Sequence, residues 1–440
     1  MKINGLAGRL RARVDESPIL ARMLHAAAWS LVGIAISRAA TIVAFVIAAR
    51  RLDRDSFGAL GIIQSTLSMF QVVGNLGLGL TATKFVAQLR SSDPARAGRI
   101  IGISQVSAIV LGTLAAVAVV LAAKPLAELA LAQPQLAPLL VLSAPLVLLS
   151  SVTATQLGVL AGLGAFKRIA SVYAMSAIGT IFFVVIGVVR FGLTGAIGGL
   201  IAALLVQALA GWIAVRHETT LQHTPVDYRG GLRETRVIGQ FGLPAALASL
   251  VATPAFWASQ AFLVRRPGGL ADMAVLNAAN QWFAVMSFLP LILAQPSVSI
   301  LAERYGSGDR AGARRLIAAV MRLSAVTAGS AAILFSLASR LIMRLYGPAY
   351  ASQSIVLVVS VVGGFLFVVQ SPVGSLVAAS GRMWLGLAMN IAWGAALLGA
   401  SSVFGAYGAL GIAGARALAY LLHLAWSAVA MAILLRQPQA

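Results

Sequence analysis

The chain has 440 residues, of which 60% are apolar and only 10% charged, and its mean hydropathy is +0.92. A soluble domain carries about 25% charged residues, so there is too little polar surface here to solvate a globule of this size; soluble enzymes, nucleic-acid-binding domains and disordered proteins are excluded. Lys and Arg number 33 against 12 Asp and Glu, an excess that belongs in loops between membrane spans, where it sets orientation. Cysteine is absent and there are four histidines, so disulfides, thiolate sites and Cys nucleophiles are excluded and little is left for a metal cluster.

A helix crossing the ~30 Å hydrocarbon layer needs about 20 apolar residues. Twelve such stretches follow in chain order, at 26–49, 57–82, 100–122, 136–160, 170–189, 193–215, 237–264, 271–299, 316–338, 353–379, 384–404 and 408–434. Their apolar runs are continuous rather than alternating, which argues against a β-barrel. The segment ahead of the first stretch carries Lys2, Arg9, Arg11, Arg13 and Arg22 and shows no signal-peptide cleavage pattern. Twelve spans put both termini on one side. With that side cytoplasmic, 21 basic residues fall inside and 9 outside, the distribution expected of a multi-pass membrane protein with both termini inside.

Shifted by 216 residues, the chain aligns with itself without a gap from about residue 50 to 215. Ser91-Ser-Asp-Pro-Ala-Arg-Ala-Gly-Arg99 falls on Ser307-Gly-Asp-Arg-Ala-Gly-Ala-Arg-Arg315, and Phe191-Gly-Leu-Thr-Gly-Ala-Ile-Gly-Gly199 on Tyr407-Gly-Ala-Leu-Gly-Ile-Ala-Gly-Ala415. Small residues recur in any membrane helix, but a loop and three spaced glycines coinciding at one offset mark a repeat. The expected organisation is an N-terminal segment (1–25), a six-helix bundle (26–215), a cytoplasmic linker (216–236), a second six-helix bundle (237–435) and a tail (436–440). With an even number of spans per half, the bundles share one topology and are related by an axis along the membrane normal.

Two six-span repeats, the basic loop after the second span of each half, and the aromatic-Gly-x-x-Gly-x-x-Gly opening of the sixth resemble the multidrug/oligosaccharidyl-lipid/polysaccharide exporter superfamily. Within it the chain is most similar to the polysaccharide-biosynthesis (Wzx-type) flippases of O-antigen and exopolysaccharide export. The resemblance implies an all-α membrane protein with twelve helices in a V-shaped, MATE-like pair of bundles. It also implies inner-to-outer-leaflet translocation of a polyprenyl-pyrophosphate-linked oligosaccharide, with membrane lipids, a polysaccharide polymerase and glycosyltransferases as partners. No P-loop, catalytic triad or paired carboxylate appears within the spans, so no cofactor, nucleotide or enzymatic activity is expected.

Arg38 lies 12 and 11 residues from the two ends of its stretch, about 17–18 Å from either boundary, and a charge there costs about 2.5–3.5 kcal/mol on the insertion scale. Either it faces a cavity and receives an anionic head group, or it pairs with carbonyls of a neighbouring span. Gln64, Ser68, Gln71 and Asn75 form one stripe on the second span, and Asn277, Asn280 and Gln281 lie on the eighth; such amides and hydroxyls suit a sugar path and equally suit interhelical bonding. On the twelfth span Arg416, Tyr420, His423 and Ser427 share a face, with Arg416 either a second cationic station or a snorkelling anchor. Lys84, with Arg90, Arg96 and Arg99, either attracts pyrophosphate at the inner leaflet or only sets orientation and touches anionic lipid. Candidate substrate-binding residues are therefore Arg38, Gln64, Ser68, Gln71, Asn75, Lys84, Asn280, Gln281 and Arg416. No acidic residue falls mid-span, which disfavours the alternative of a cation-coupled multidrug antiporter, since such exporters carry membrane carboxylates. Bending is expected at Pro244, Pro254, Pro290 and Pro296 of the second half and at Pro145 of the first.

Overall fold

The computed structural model describes residues 18–234, 249–287, 301, 303–304 and 307–436. The described residues are almost entirely helical. We label the principal helices α1 (Pro18–Arg51), α2 (Arg54–Asn75), α3 (Leu78–Leu89), α4 (Pro94–Pro125), α5 (Ala137–Ser143), α6 (Pro145–Gly162), α7 (Phe166–Gly179), α8 (Val185–Leu221), α9 (Ser249–Val264), α10 (Gly269–Met286), α11 (Arg310–Leu337), α12 (Ser339–Tyr346), α13 (Pro348–Ala351), α14 (Ser354–Ala379), α15 (Met383–Phe404) and α16 (Gly408–Arg436). Span 1 is α1, span 2 is α2 with α3, span 3 is α4, and span 4 is α5 with α6. Spans 5 and 6 form one continuous run that turns at Gly192 (φ 57, ψ −135). Spans 7 to 10 are α9, α10, α11 and α14. Spans 11 and 12 turn at Gly408 (φ 64). The linker-side parts of spans 7 and 8, with Pro244, Pro290 and Pro296, lie outside the described residues.

The repeat is visible in local geometry. Asp93 and Asp309, 216 apart, both cap the following helix, accepting from the Arg96 amide at 2.9 Å and the Gly312 amide at 2.7 Å. Gly192 and Gly408, at the same offset, both turn the chain with positive φ. Spans 2 and 8 meet at equivalent positions: a methyl on Gly58 would fall 1.8 Å from the Leu270 carbonyl oxygen and 3.0 Å from the Ala274 nitrogen, and one on Gly61 would fall 2.9 Å from the Asn277 side chain. Residues related by the offset touch one another, so the pseudo-twofold axis passes between these two spans.

Within the first lobe small residues let backbones approach. A methyl on Gly158 of span 4 would fall 2.2 Å from the Gly79 carbonyl oxygen, and one on Gly33 of span 1 would fall 2.8 Å from Ala170 of span 5. The glycine cluster at 74–79 also breaks span 2, with Leu76 (φ 36) and Gly77 (φ 66) left-handed between α2 and α3.

The lobes are joined at the end opposite the linker. Arg50 Nε donates to the Leu345 carbonyl at 2.5 Å, and Arg265 Nη1 donates to the Leu129 carbonyl at 2.9 Å; Leu129 and Leu345 are themselves 216 apart. Arg54 reaches the Ala271 carbonyl at 3.3 Å and Gln133 the Val264 carbonyl at 3.1 Å. Beneath these, Phe57 packs against Tyr346 and Tyr350 of the other lobe. At mid-depth Trp257 Nε1 donates to Thr66 Oγ1 at 2.9 Å. The helix of span 6 runs on to Leu221, past the expected start of the linker at 216. A strap then crosses the linker-side end of span 3, where the Asp227 amide donates to the Gly98 carbonyl at 3.3 Å.

Candidate functional site

Arg38 sits on α1 with its side chain exposed and makes no hydrogen bond or ion pair among the described residues. The other side of α1, with Gly33 and Ala40, packs on span 5. Phe45 lies two turns from Arg38 on the same helical face and is buried against Phe57 in the contact between lobes. Arg38 therefore continues that face below the contact. Close to Arg38 on the same helix, the Thr41 hydroxyl donates to the Ser37 backbone carbonyl at 2.9 Å.

The stripe on span 2 is divided. Gln64 and Gln71 are half-buried and Ser68 is exposed, its hydroxyl donating to the Gln64 carbonyl at 2.8 Å. Asn75 is engaged across helices, Oδ1 accepting from the Ser151 hydroxyl of span 4 at 3.1 Å. Two buried amides that the stripe did not include lie in the same lobe. Gln156 of span 4 is 5% exposed, with Oε1 unpartnered where a methyl on Gly211 of span 6 would fall 2.2 Å from it. Gln207 of span 6 accepts from the Ser176 hydroxyl of span 5 at 2.9 Å. Their signal in the sequence is an amide inside an apolar run, with no periodic partner to draw attention to it.

The second lobe holds the more unusual group. Arg416 is 6% exposed and does not snorkel. Nη1 donates to Asn280 Oδ1 of span 8 at 2.7 Å, Cζ lies 4.4 Å from the Phe283 ring centroid, and Nε and Nη2 are buried without a partner. One turn along, Tyr420 stacks between Phe283 (6.2 Å) and Trp393 of span 11 (5.4 Å). Further along, His423 Nδ1 lies 2.7 Å from Gln370 Oε1 of span 10 and 3.2 Å from the Ser427 hydroxyl, an arrangement that places the ring proton on Nδ1 toward Gln370. The four-residue face read on span 12 is thus a continuous polar seam joining spans 8, 10 and 12. Gln281 is half-buried beside Asn280.

At the linker-side rim the basic residues divide. Arg96 and Arg99 pair with Glu234 of the strap at 3.0 and 3.6 Å, and Arg90 donates to the Leu163 carbonyl. These three hold the structure together. Lys84 is exposed, with Nζ 5.0 Å from the Phe85 ring centroid. No group of His, Asp and Glu among the described residues could hold a metal ion.

Two helical lobes of common topology, joined at one end and related by an axis along their length, define an all-α, multi-pass membrane fold. The architecture resembles that of solved MATE transporters. A structure described as the inward-facing conformation of a multidrug resistance MATE family transporter of the MOP superfamily superposes with a TM-score of 0.76 at 16% identity, covering 93% of this chain and 100% of that one. The outward-facing conformation of such a transporter gives 0.67 at 17% identity, over 95% and 96% of the two chains. A MOP superfamily transporter from Pyrococcus furiosus, whose binding pocket is described as of reverse polarity, gives 0.66 at 17%, over 94% and 96%. The sequence profile of the family described as polysaccharide biosynthesis protein matches residues 23–301, and the chain belongs to that family. It is also similar to the EPS I polysaccharide export inner membrane proteins EpsE of Ralstonia nicotianae (24% identical over 187 residues, 42% of this chain and 43% of that protein) and Ralstonia solanacearum (24% over 204 residues, 46% and 44%). The matched region spans less than half the length of these curated relatives.

Proposed function

We propose that the chain is a flippase of the bacterial cytoplasmic membrane that moves a polyprenyl-pyrophosphate-linked oligosaccharide, the repeat unit of an O-antigen or exopolysaccharide, from the inner to the outer leaflet. Both termini and the linker lie in the cytoplasm, as the 21 to 9 division of basic residues favours. In that orientation the lobes are joined at the outer end and the gap between them opens inward. The observation that carries the reading is Arg38: an exposed guanidinium deep in span 1, without an ion pair among the described residues, on the face that leads into the contact between lobes, in a chain whose spans hold no central carboxylate. By charge complementarity it receives an anion. Lys84 draws the pyrophosphate to the rim. Gln64, Ser68 and Gln71 offer donors and acceptors to the glycan, and Asn75 serves mainly to tie span 2 to span 4. Asn280, Gln281 and Arg416 form a deeper station, closed by Phe283 in this conformation. The names of the EpsE relatives, which concern polysaccharide export, agree with this cargo.

An anion leaving a negative-inside cell gains about 2.3 kcal/mol per charge per 100 mV, so two net charges gain about 5 kcal/mol and no intramembrane carboxylate relay is required. The reading is tested with the purified protein in liposomes, by comparing translocation of a pyrophosphate-linked glycolipid with that of a cationic dye. Glycolipid movement by wild type, abolished in Arg38→Ala and partly kept in Arg38→Lys, is expected. Dye movement without glycolipid movement overturns it in favour of drug export.

A further inference from the structure

On the outside of the first lobe, spans 3 and 6 leave a fissure. Span 3 packs mainly on spans 2 and 4, and span 6 mainly on spans 4 and 5, so span 4 lies between them at the back of the fissure. Exposed apolar side chains border it: Ile109, one turn from Gln105 on span 3, and Leu205, Leu209 and Ile213 on the Trp212 side of span 6. At the linker end the strap closes it. The Tyr228 hydroxyl donates to Gln105 Oε1 of span 3 at 3.0 Å, and the Asp227 amide is bound to the Gly98 carbonyl. What remains at the foot is a pocket of about 360 Å³ lined by Gln105, Trp212, Arg216, Thr220, Thr224 and Tyr228.

Arg216 is the one charged side chain in this lining. It is exposed, its Cζ lies 5.5 Å from the Trp212 ring centroid, and it has no ion pair among the described residues. The carboxylate two residues on, Glu218, is engaged elsewhere, with Arg168 at 3.2 Å. A cation stacked on an indole, at the polar end of an apolar fissure, has the chemistry of a membrane–water interface. Its complement is a group with two apolar chains and one negative charge. We propose that this pocket binds the phosphate of an anionic phospholipid from the surrounding bilayer, held by the Arg216 guanidinium and the Trp212 N–H, with the acyl chains lying between spans 3 and 6. The bound lipid bridges span 6 to the strap. The strap is the covalent connection between lobes, so an occupied pocket stiffens that connection. The inference does not depend on the identity of the cargo.

The test uses the full-length protein, purified and supplied with either phosphatidylglycerol or phosphatidylcholine, with retained lipid counted by native mass spectrometry. Wild type is expected to keep phosphatidylglycerol in preference. Arg216→Gln is expected to lower its retention about fivefold, the factor given by about 1 kcal/mol per basic residue at an anionic surface. Arg229→Gln, an exposed strap arginine outside the pocket lining, is expected to leave retention unchanged. A second measurement uses phosphatidylglycerol brominated high on its acyl chains. It should quench indole fluorescence more than the brominated choline lipid does, and Trp212→Phe should remove that difference. Equal retention of the two lipids, equal losses in Arg216→Gln and Arg229→Gln, or quenching unchanged by Trp212→Phe would each overturn the proposal.

Discussion

Arg416 is an energetic liability that the rest of the molecule tolerates. Its charge-assisted bond to Asn280 contributes about 1.5–3 kcal/mol, and its position over Phe283 contributes about 2 kcal/mol when desolvated. Removing the ion from water costs several kcal/mol, and two of its donor nitrogens have no partner among the described residues. Arg416→Met, which fills the space without the charge, should therefore leave the melting temperature of the purified protein unchanged or raise it, by the equivalent of about 1–4 kcal/mol, while abolishing glycolipid translocation. Asn280→Ala should act in the opposite sense on stability, lowering it by about 3–5 kcal/mol because the charge is left buried without its acceptor. If Arg416→Met melted well below Asn280→Ala, the guanidinium would be a structural prop and no longer a candidate for cargo. The face Arg416, Tyr420, His423, Ser427 is legible in the sequence as helical spacing. Whether the guanidinium reaches the surface is not, because that depends on Phe283 and Asn280 arriving from a span more than a hundred residues away.

At the scale of elements, glycines and acidic caps decide where helices begin and turn. Gly192 and Gly408 both take positive φ, a region that costs a side chain about 1–3 kcal/mol. Their surroundings differ: a methyl on Gly192 would find only Leu52 Cδ2 at 4.0 Å, whereas one on Gly408 would fall 2.2 Å from Asp272 Oδ2. Gly408→Ala should consequently reduce accumulation and melting temperature clearly more than Gly192→Ala, and equal effects would show that the backbone alone sets the requirement. The caps carry a pH dependence. Asp53 is held below its ordinary carboxylate range by the Ser56 hydroxyl and amide, and Asp309 by the Gly312 amide and Arg304. A lowered folded-state pKa means that the contribution is complete above the ordinary value and is lost as pH falls through the lowered one. Melting temperature should stay flat from pH 7 to about 5 and fall below about pH 4, with a shallower fall in Asp53→Asn. The repeated glycines and the loop pair Asp93/Asp309 made this architecture readable from the sequence at one offset. The break at Leu76 and Gly77 was not, because the cluster Gly74-Asn-Leu-Gly-Leu-Gly79 serves two purposes at once: it packs span 2 on span 4, as its small residues suggest, and it also interrupts the helix. Pro372, inside α14, was likewise not singled out, since it lies in a stretch whose apolar run is unbroken.

At the scale of the molecule, the basic residues assigned to the outer face do more than balance an orientation count. Arg50 and Arg265 each reach across to the other lobe and donate to a carbonyl at equivalent positions of the repeat, Leu345 and Leu129. Each of these carbonyls lies in a short helical segment at the end away from the linker, Ser339–Tyr346 or Leu126–Ala130, so each arginine satisfies backbone groups that a helix end leaves open. Together they form a clasp that holds the linker-distal ends of the lobes together and breaks when the lobes part; it is not strictly symmetric, because the 216-residue offset places Arg50 on Arg266, which donates to the Gly405 carbonyl of its own lobe. Each exposed bond contributes about 0.5–1.5 kcal/mol, so removing both in Arg50→Ala/Arg265→Ala should shift the balance away from this conformation by roughly 5- to 150-fold. The native chain lacks cysteine, so spin labels placed at Ser56→Cys and Ala349→Cys report the outer separation without background sites. A short distance in the labelled parent that lengthens or broadens in the double variant is the expected result. Rocking of two rigid lobes also requires the opposite end to close as the outer end opens, so a second label pair across the linker-side rim should shorten in the same variant. An outer distance that lengthened with no change at the rim would mean that the lobes deform rather than rock, and the clasp would then be a local seal and not part of alternating access.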